Sequence, residues 1–255
     1  MYFDKDKICW NITSNCNLNC SFCYANKNIK NGSYDIQIRI LSILIEKSIK
    51  QICFTGGEPL MHGHIMSLLK HAKKSGYFVH LSTNGILLNY IIDKELYKYV
   101  DVISIPLDGA TDEINYKIRK VHRYINSFNK VVKTTENFNI PIRIYTMVTP
   151  ENQNDLLNIY KKIYNIKNIE SWRLSNYYSV GKIKSNYHLT SKKYFESVKI
   201  IEELNSNLKI VVRYKDEMYQ KKIMLMDPIG NLYTTIKHKH IVIGNIFSDH
   251  QQKII

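Results

Sequence analysis

Short apolar runs alternate along the chain with segments whose apolar residues recur at helical spacing. Six runs read as strands: "KICWNIT" (7–13), "QICFTG" (51–56), "FVHLST" (78–83), "VISIPL" (102–107), "IRIYTMV" (142–148) and "SWRLSN" (171–176). The intervening segments 35–50, 64–76, 90–99, 112–138 and 151–165 carry the 3.6-residue periodicity of helices. The helix over 64–76 closes on Gly76, a residue type that ends helices readily. The long pattern over 112–138 is expected to break near 120–126. A further helix is expected over 191–206, and the tail 210–247 reads as short strands with a turn at "PIGN".

Repeated strand–helix units imply parallel strands joined by right-handed crossovers. Six such units fall short of the eight of a closed barrel. The expected fold is therefore α/β, a partial (β/α)6 barrel with its site on loops at the strand C-termini. The expected division is a core over 1–185 and a C-terminal helix with a short extension over 186–255. No flexible linker, low-complexity tract or internal repeat interrupts the pattern.

Composition narrows the setting. The hydrophobic fraction of 44% is ordinary for a globular chain, and no stretch is apolar enough to span a membrane. "MYFDKDKICW" lacks the apolar core of a signal peptide, so a cytoplasmic location is expected. The formal net charge of +14 favours acidic partners. The lysines are nonetheless spread along the chain, and the richness in Lys, Ile, Asn and Tyr matches an AT-rich genome. A nucleic-acid partner is not expected.

Five cysteines, an odd number, do not make a disulfide framework. Three of them, Cys16, Cys20 and Cys23, form a C-x3-C-x2-C pattern in "CNLNCSFCY", on the loop after the first strand. Parallel α/β folds place ligands there. Four thiolates would complete a structural zinc site or a cluster; three leave one iron of a [4Fe–4S] cluster open to an outside ligand. A zinc site, or thiols that are merely buried, are the alternatives.

The C-x3-C-x2-C pattern followed by an aromatic residue resembles the radical S-adenosylmethionine (SAM) enzymes. The resemblance implies that Cys16, Cys20 and Cys23 hold a [4Fe–4S] cluster. It also implies that the open iron binds SAM, and that an electron from the cluster cleaves SAM to methionine and a 5′-deoxyadenosyl radical. Tyr24 matches the family's aromatic position. "TGGEP" (55–59) resembles the family's GGEP motif, which implies that Gly56, Gly57 and Glu58 meet the SAM amino group. Glycines would let the backbone approach closely, and the carboxylate could accept from an ammonium. "STNG" (82–85) brings Asn84 close to SAM, and "ISIPLDG" (103–109) resembles the segment whose serine, here Ser104, reaches the SAM ribose or carboxylate. Arg119 matches a following arginine that can pair with that carboxylate, and Arg123 is a weaker candidate. The resemblance covers residues 7 to 180. An electron donor such as flavodoxin or ferredoxin is implied with it.

The tail "DPIGNLYTTIKHKHIVIGNI" (227–246) is similar in outline to the SPASM/Twitch extensions of peptide-modifying relatives, with Thr234 or Thr235 where a cluster cysteine would stand. It therefore resembles a remnant without metal, and His238 and His240 read as solvated. Cys9 and Cys53 read as buried core residues, with hydrogen-atom donation to a substrate radical as the alternative. The reaction expected first is maturation of a ribosomally made peptide, by crosslink, thioether or epimer formation. An anionic peptide would suit the charge. The second is action on a nucleotide or other small molecule, as in the viperin-like or molybdenum-cofactor branches. A non-catalytic Fe–S or zinc binding module is the third.

Overall fold

The computed structural model describes residues 3–20, 22–23, 29–90, 94–177, 187–214, 222–236 and 239–248. The expected alternation is present. Strand β1 (Phe3–Thr13) leads to α1 (Tyr34–Glu46), β2 (Gln51–Gly56), α2 (Ile65–Lys74), β3 (Phe78–Ser82) and β4 (Val102–Pro106). Then follow α3 (Asp112–Arg119), α4 (Tyr124–Asn137), β5 (Ile142–Val148), α5 (Leu156–Ile163), β6 (Ile169–Asn176) and α6 (Ser191–Glu202). The tail contributes β7 (Ile210–Arg213), β8 (Lys222–Met226), β9 (Asn231–Ile236) and β10 (Lys239–Asn245).

Local sequence explains the boundaries. Ser33 caps α1 by accepting from the N–H of Ile36, and Thr111 caps α3 by accepting from Ile114. Gly76 follows α2 at φ +86°, the left-handed conformation that glycine adopts without a Cβ penalty. The long helical pattern breaks where expected: Lys120 and Arg123 both sit at left-handed φ, 60° and 55°. The segment expected to be helical over 90–99 is only a single 3-10 stretch, Lys94–Lys98, among its described residues.

The strands form one open sheet in the order β10-β9-β8-β1-β2-β3-β4-β5-β6-β7. All neighbours from β8 through β7 pair in parallel; β9 and β10 run antiparallel. The architecture is thus the expected partial barrel, extended at both edges by strands of the tail. The tail is anchored at a tight turn: Asp227 Oδ1 accepts from the N–H groups of Ile229 (3.0 Å) and Asn231 (2.8 Å), and Trp10 Nε1 donates to the Asp227 carbonyl at 3.1 Å.

Side chains alternate across the sheet, as strands require. Ile8, Trp10, Ile12, Ile52, Phe54, Leu81, Ile103, Ile105, Ile142, Ile144, Trp172 and Leu174 form the buried core with the helices. The opposite face carries Lys7, Cys9, Asn11, Thr55, Ser82, Arg143, Tyr145, Arg173 and Ser175, all half-buried. A chain that alternates oily and polar residues on parallel strands leaves one face of the sheet free to line a site.

Candidate active site

The cysteine loop leaves the C-terminal end of β1, and the next strand's end holds it there. The N–H of Gly57 donates to the Thr13 carbonyl at 2.8 Å, and that of Glu58 to the Asn15 carbonyl at 2.7 Å. This contact dictates two glycines. A Cβ on Gly56 would lie 2.4 Å from the Thr13 oxygen, and one on Gly57 would lie 2.2 Å from the Asn15 oxygen. Gly56 also has φ +144°. The close approach that these glycines permit is thus to the backbone of the cysteine loop itself. The loop's return is pinned as well: Ser14 Oγ donates to the Ile29 carbonyl at 3.0 Å, and Asn31 Oδ1 accepts from the Ser14 N–H at 3.0 Å.

Cys16, Cys20 and Cys23 are half-buried on this loop, and none is in a disulfide. The N–H of Cys23 donates to the Cys20 carbonyl at 3.2 Å, folding the last two cysteines into one turn. Burial pushes the Cys20 thiol up; Arg119 pulls it down, and negative charge on Cys23, Asp108 and Cys16 would push it up further. Among the described residues, no three His, Cys, Asp or Glu side chains are gathered so as to hold a metal ion. Tyr24 lies outside the described residues.

Glu58 is buried, 1% exposed, with its carboxylate turned onto the end of β3. Oε1 accepts from Thr83 Oγ1 at 2.6 Å and from the Leu60 N–H at 3.1 Å; Oε2 accepts from the Asn84 N–H at 2.7 Å. Burial raises the Glu58 carboxyl above its usual range, while these three hydrogen bonds oppose the rise. Asn84 extends the chain of contacts, donating from Nδ2 to Asn17 Oδ1 on the cysteine loop at 2.8 Å.

The β4 end contributes a second buried carboxylate. Asp108 Oδ2 accepts from Arg119 Nε at 2.5 Å, and Oδ1 accepts from the Met147 N–H at 2.8 Å. The Arg119 guanidinium also lies 5.2 Å from the Phe22 ring, within the cysteine loop, and its backbone carbonyl accepts from Cys20 Sγ at 3.8 Å. Arg119 therefore lies beside the cysteine loop, with its Nε committed to Asp108. Its remaining N–H groups are the donors it could offer an outside anion. Arg123 stands apart on the exposed start of α4.

Ser104 is buried deeper on β4, where its Oγ lies 2.6 Å from His80 Nε2. His80 follows Cys53 in register, and Cys53 follows Cys9, on β3, β2 and β1. The two thiols face each other in register, and the Cys9 thiol together with burial raises the Cys53 pKa. On the tail, Thr234 is buried and His240 packs edge-on against Tyr233 at 5.1 Å, while His238 lies outside the described residues.

Reading the sequence missed Asn17, Thr83, Asp108 and His80. One signal was available for Asp108: an acid just past the mostly apolar run "VISIPL" is buried unless the strand stops early, and a buried acid needs a cation.

The profile of the Radical SAM superfamily matches residues 10–163, more than half of the chain. A Methanocaldococcus jannaschii protein named as a candidate glycyl-radical enzyme activating enzyme is 27% identical over 230 residues, covering 87% of each chain. An S-adenosylmethionine-dependent nucleotide dehydratase from Flammeovirga pacifica is 24% identical over 250 residues, covering 92% of this chain and 82% of its own. Among solved structures, Streptococcus suis SuiB bound to its precursor peptide SuiA superposes with a TM-score of 0.72 at 19% identity, over 89% of this chain and 58% of SuiB. The chain thus spans less than two thirds of SuiB, and at that identity the likeness is one of fold. The profile match over residues 10–163 makes this chain a member of the radical SAM superfamily.

Proposed function

We propose that the protein binds one [4Fe–4S] cluster through Cys16, Cys20 and Cys23 and cleaves SAM reductively to abstract a hydrogen atom from an anionic substrate. One observation carries this reading: the ends of β2, β3 and α3 all contact the cysteine loop, through Glu58–Asn15, Asn84–Asn17 and Arg119–Phe22. The donor set fits the group in kind, since three half-buried thiols stand on one loop with the Arg119 guanidinium over the Phe22 ring of that loop. When bound, the cluster and SAM supply a 5′-deoxyadenosyl radical.

The chain's own residues supply position and exclusion of water. Gly56 and Gly57 fix the loop, and Glu58 and Asn84 hold the strand ends together beneath it. On this reading Glu58, Ser104, Asn84 and the free N–H groups of Arg119 face SAM, with Tyr24 beside the cluster. The core over 1–185 carries the SAM chemistry and the segment 186–255 shapes the substrate side. Five cysteines, none in a disulfide, suit a reducing cytoplasm, where flavodoxin or ferredoxin would deliver the electron.

A ribosomally made peptide is the first substrate reading. The fold likeness to SuiB, whose structure holds a precursor peptide, supports it, as does the net charge of +14. A nucleotide or other phosphorylated small molecule is the second. It is favoured by the nucleotide dehydratase that matches nearly the whole chain, and by the basic side chains on the free sheet face. Incubating the reduced protein and SAM with a peptide encoded nearby, and separately with nucleoside triphosphates, tests both. The first reading expects 5′-deoxyadenosine and a peptide mass change; turnover with nucleotides alone would overturn it.

A further inference from the structure

We propose that the free face of the sheet carries a phosphate-binding subsite built from Lys7, Arg143 and Arg173, with His80 and Tyr145 completing its wall. The inference rests on the second substrate reading above and names the group by which that substrate would be held.

Register places these residues together. Arg173 on β6 pairs with Tyr145 on β5, Arg143 lies two residues before Tyr145 on the same face, and Ser104 on β4 pairs with Arg143. Ser104 in turn holds His80 at 2.6 Å. From the other side, Lys7 lies two residues before Cys9, which leads through Cys53 to His80. The charges of Lys7, Arg143 and Arg173 all reach His80 and help to keep it neutral. Register thus puts the three cations on the same face of the sheet as His80.

Their hydrogen-bonding capacity is only partly used. Arg173 donates from Nη1 to Tyr145 Oη at 3.0 Å and stacks at 4.8 Å from that ring, while its buried Nε has no partner. His80 is 3% exposed, and its buried Nδ1 has no partner either. Arg143 is engaged by Glu170, with Nε–Oε2 at 2.8 Å and Nη2–Oε1 at 3.1 Å. Lys7 makes no ion pair among the described residues. A single carboxylate answers one of these cations, as Glu170 does. A phosphate group carries more charge and enough acceptor oxygens to bridge two or more cations at once. The subsite lies a few residues below the strand ends, on the order of 10 Å at about 3.3 Å per residue, so a ligand held there can present another part of itself to the cysteine loop.

The test is calorimetric titration of the full-length, reconstituted protein with inorganic tripolyphosphate at about 0.15 M salt, where general attraction to a basic protein is screened. Tri-glutamate serves as the carboxylate arm. Tripolyphosphate is expected to bind. Its affinity should fall roughly tenfold or more in Arg173→Gln and in Lys7→Gln, the loss expected for a charge-assisted hydrogen bond. It should be unchanged in the exposed control Lys74→Gln, with unfolding midpoints and iron content retained throughout. No binding to the wild type, equal affinity in all variants, or tri-glutamate binding as tightly as tripolyphosphate would overturn the subsite. The titration needs no turnover, so a failed nucleotide reaction would count against the second substrate reading without changing this result.

Discussion

The Glu58 carboxylate lies 2.7 Å from the backbone N–H of Asn84, so one buried side chain joins the ends of β2 and β3 beneath the cysteine loop. Glu58→Gln keeps the shape but turns an NH2 toward either Thr83 or Asn84, leaving a buried donor unmatched. The expected loss is about 1–3 kcal/mol, read from the denaturant midpoint. Because burial raises the Glu58 carboxyl, its contribution is full below the ordinary carboxylate pKa and is lost as pH rises through the raised value. The variant's deficit should therefore be larger near pH 4 than near pH 7, at about the range where free carboxylates titrate. A deficit that grows with pH would contradict this.

His80 works with the opposite sign. Burial, helped by Lys7, Arg143 and Arg173, pushes it down to about 3. A depressed pKa contributes stability above the ordinary histidine value that is lost as pH falls toward the folded value. At about 1.4 kcal/mol per unit, the wild type should lose up to roughly 5 kcal/mol from this group on full acidification. His80→Gln, which keeps a donor for Ser104, should flatten the stability profile between about pH 6.5 and pH 4. Identical slopes in urea melts of the two proteins would exclude the effect.

Gly57→Ala should be among the most damaging small changes. Its Cβ would meet a backbone oxygen, which cannot move aside as a flexible side chain would, at 2.2 Å. A loss on the order of 3 kcal/mol or more is expected. Thermal unfolding reads the stability, and iron content after reconstitution reads the displaced loop; both should fall together.

Arg119→Ala strands the Asp108 carboxylate, whose side chain is fully buried. Breaking a buried pair from one side costs about 3–5 kcal/mol. Asp108→Asn combined with Arg119→Ala should recover part of that loss. If equilibrium unfolding shows the double variant to be as unstable as the sum of the single changes, the two residues do not act as a pair.

Much of this was legible in the sequence for a local reason. "QICFTG" and "IRIYTMV" have their expected bounds, because a short run rich in β-branched and aromatic residues between turn signals is recognised without its partner. The break between α3 and α4 was also visible. Pairing partners were not: nothing in "IVVR" or "KIMLM" says that β7 joins one edge of the sheet and β8 the other, since that is fixed by contacts distant in sequence. The site's polar links were hidden for a similar reason. Asn17, Thr83 and Asn84 read locally as turn residues, and only the fold turns them toward one another.

A cluster held by Cys16, Cys20 and Cys23 that reduces SAM is tested most directly by SAM cleavage in the anaerobically reconstituted, reduced protein. The wild type should bind about four irons per chain, as one [4Fe–4S] cluster requires, and release 5′-deoxyadenosine and methionine. The variant with all three cysteines changed to alanine should do neither while remaining folded. Iron bound as tightly by that variant, or a fully loaded wild type that releases no 5′-deoxyadenosine, would contradict it.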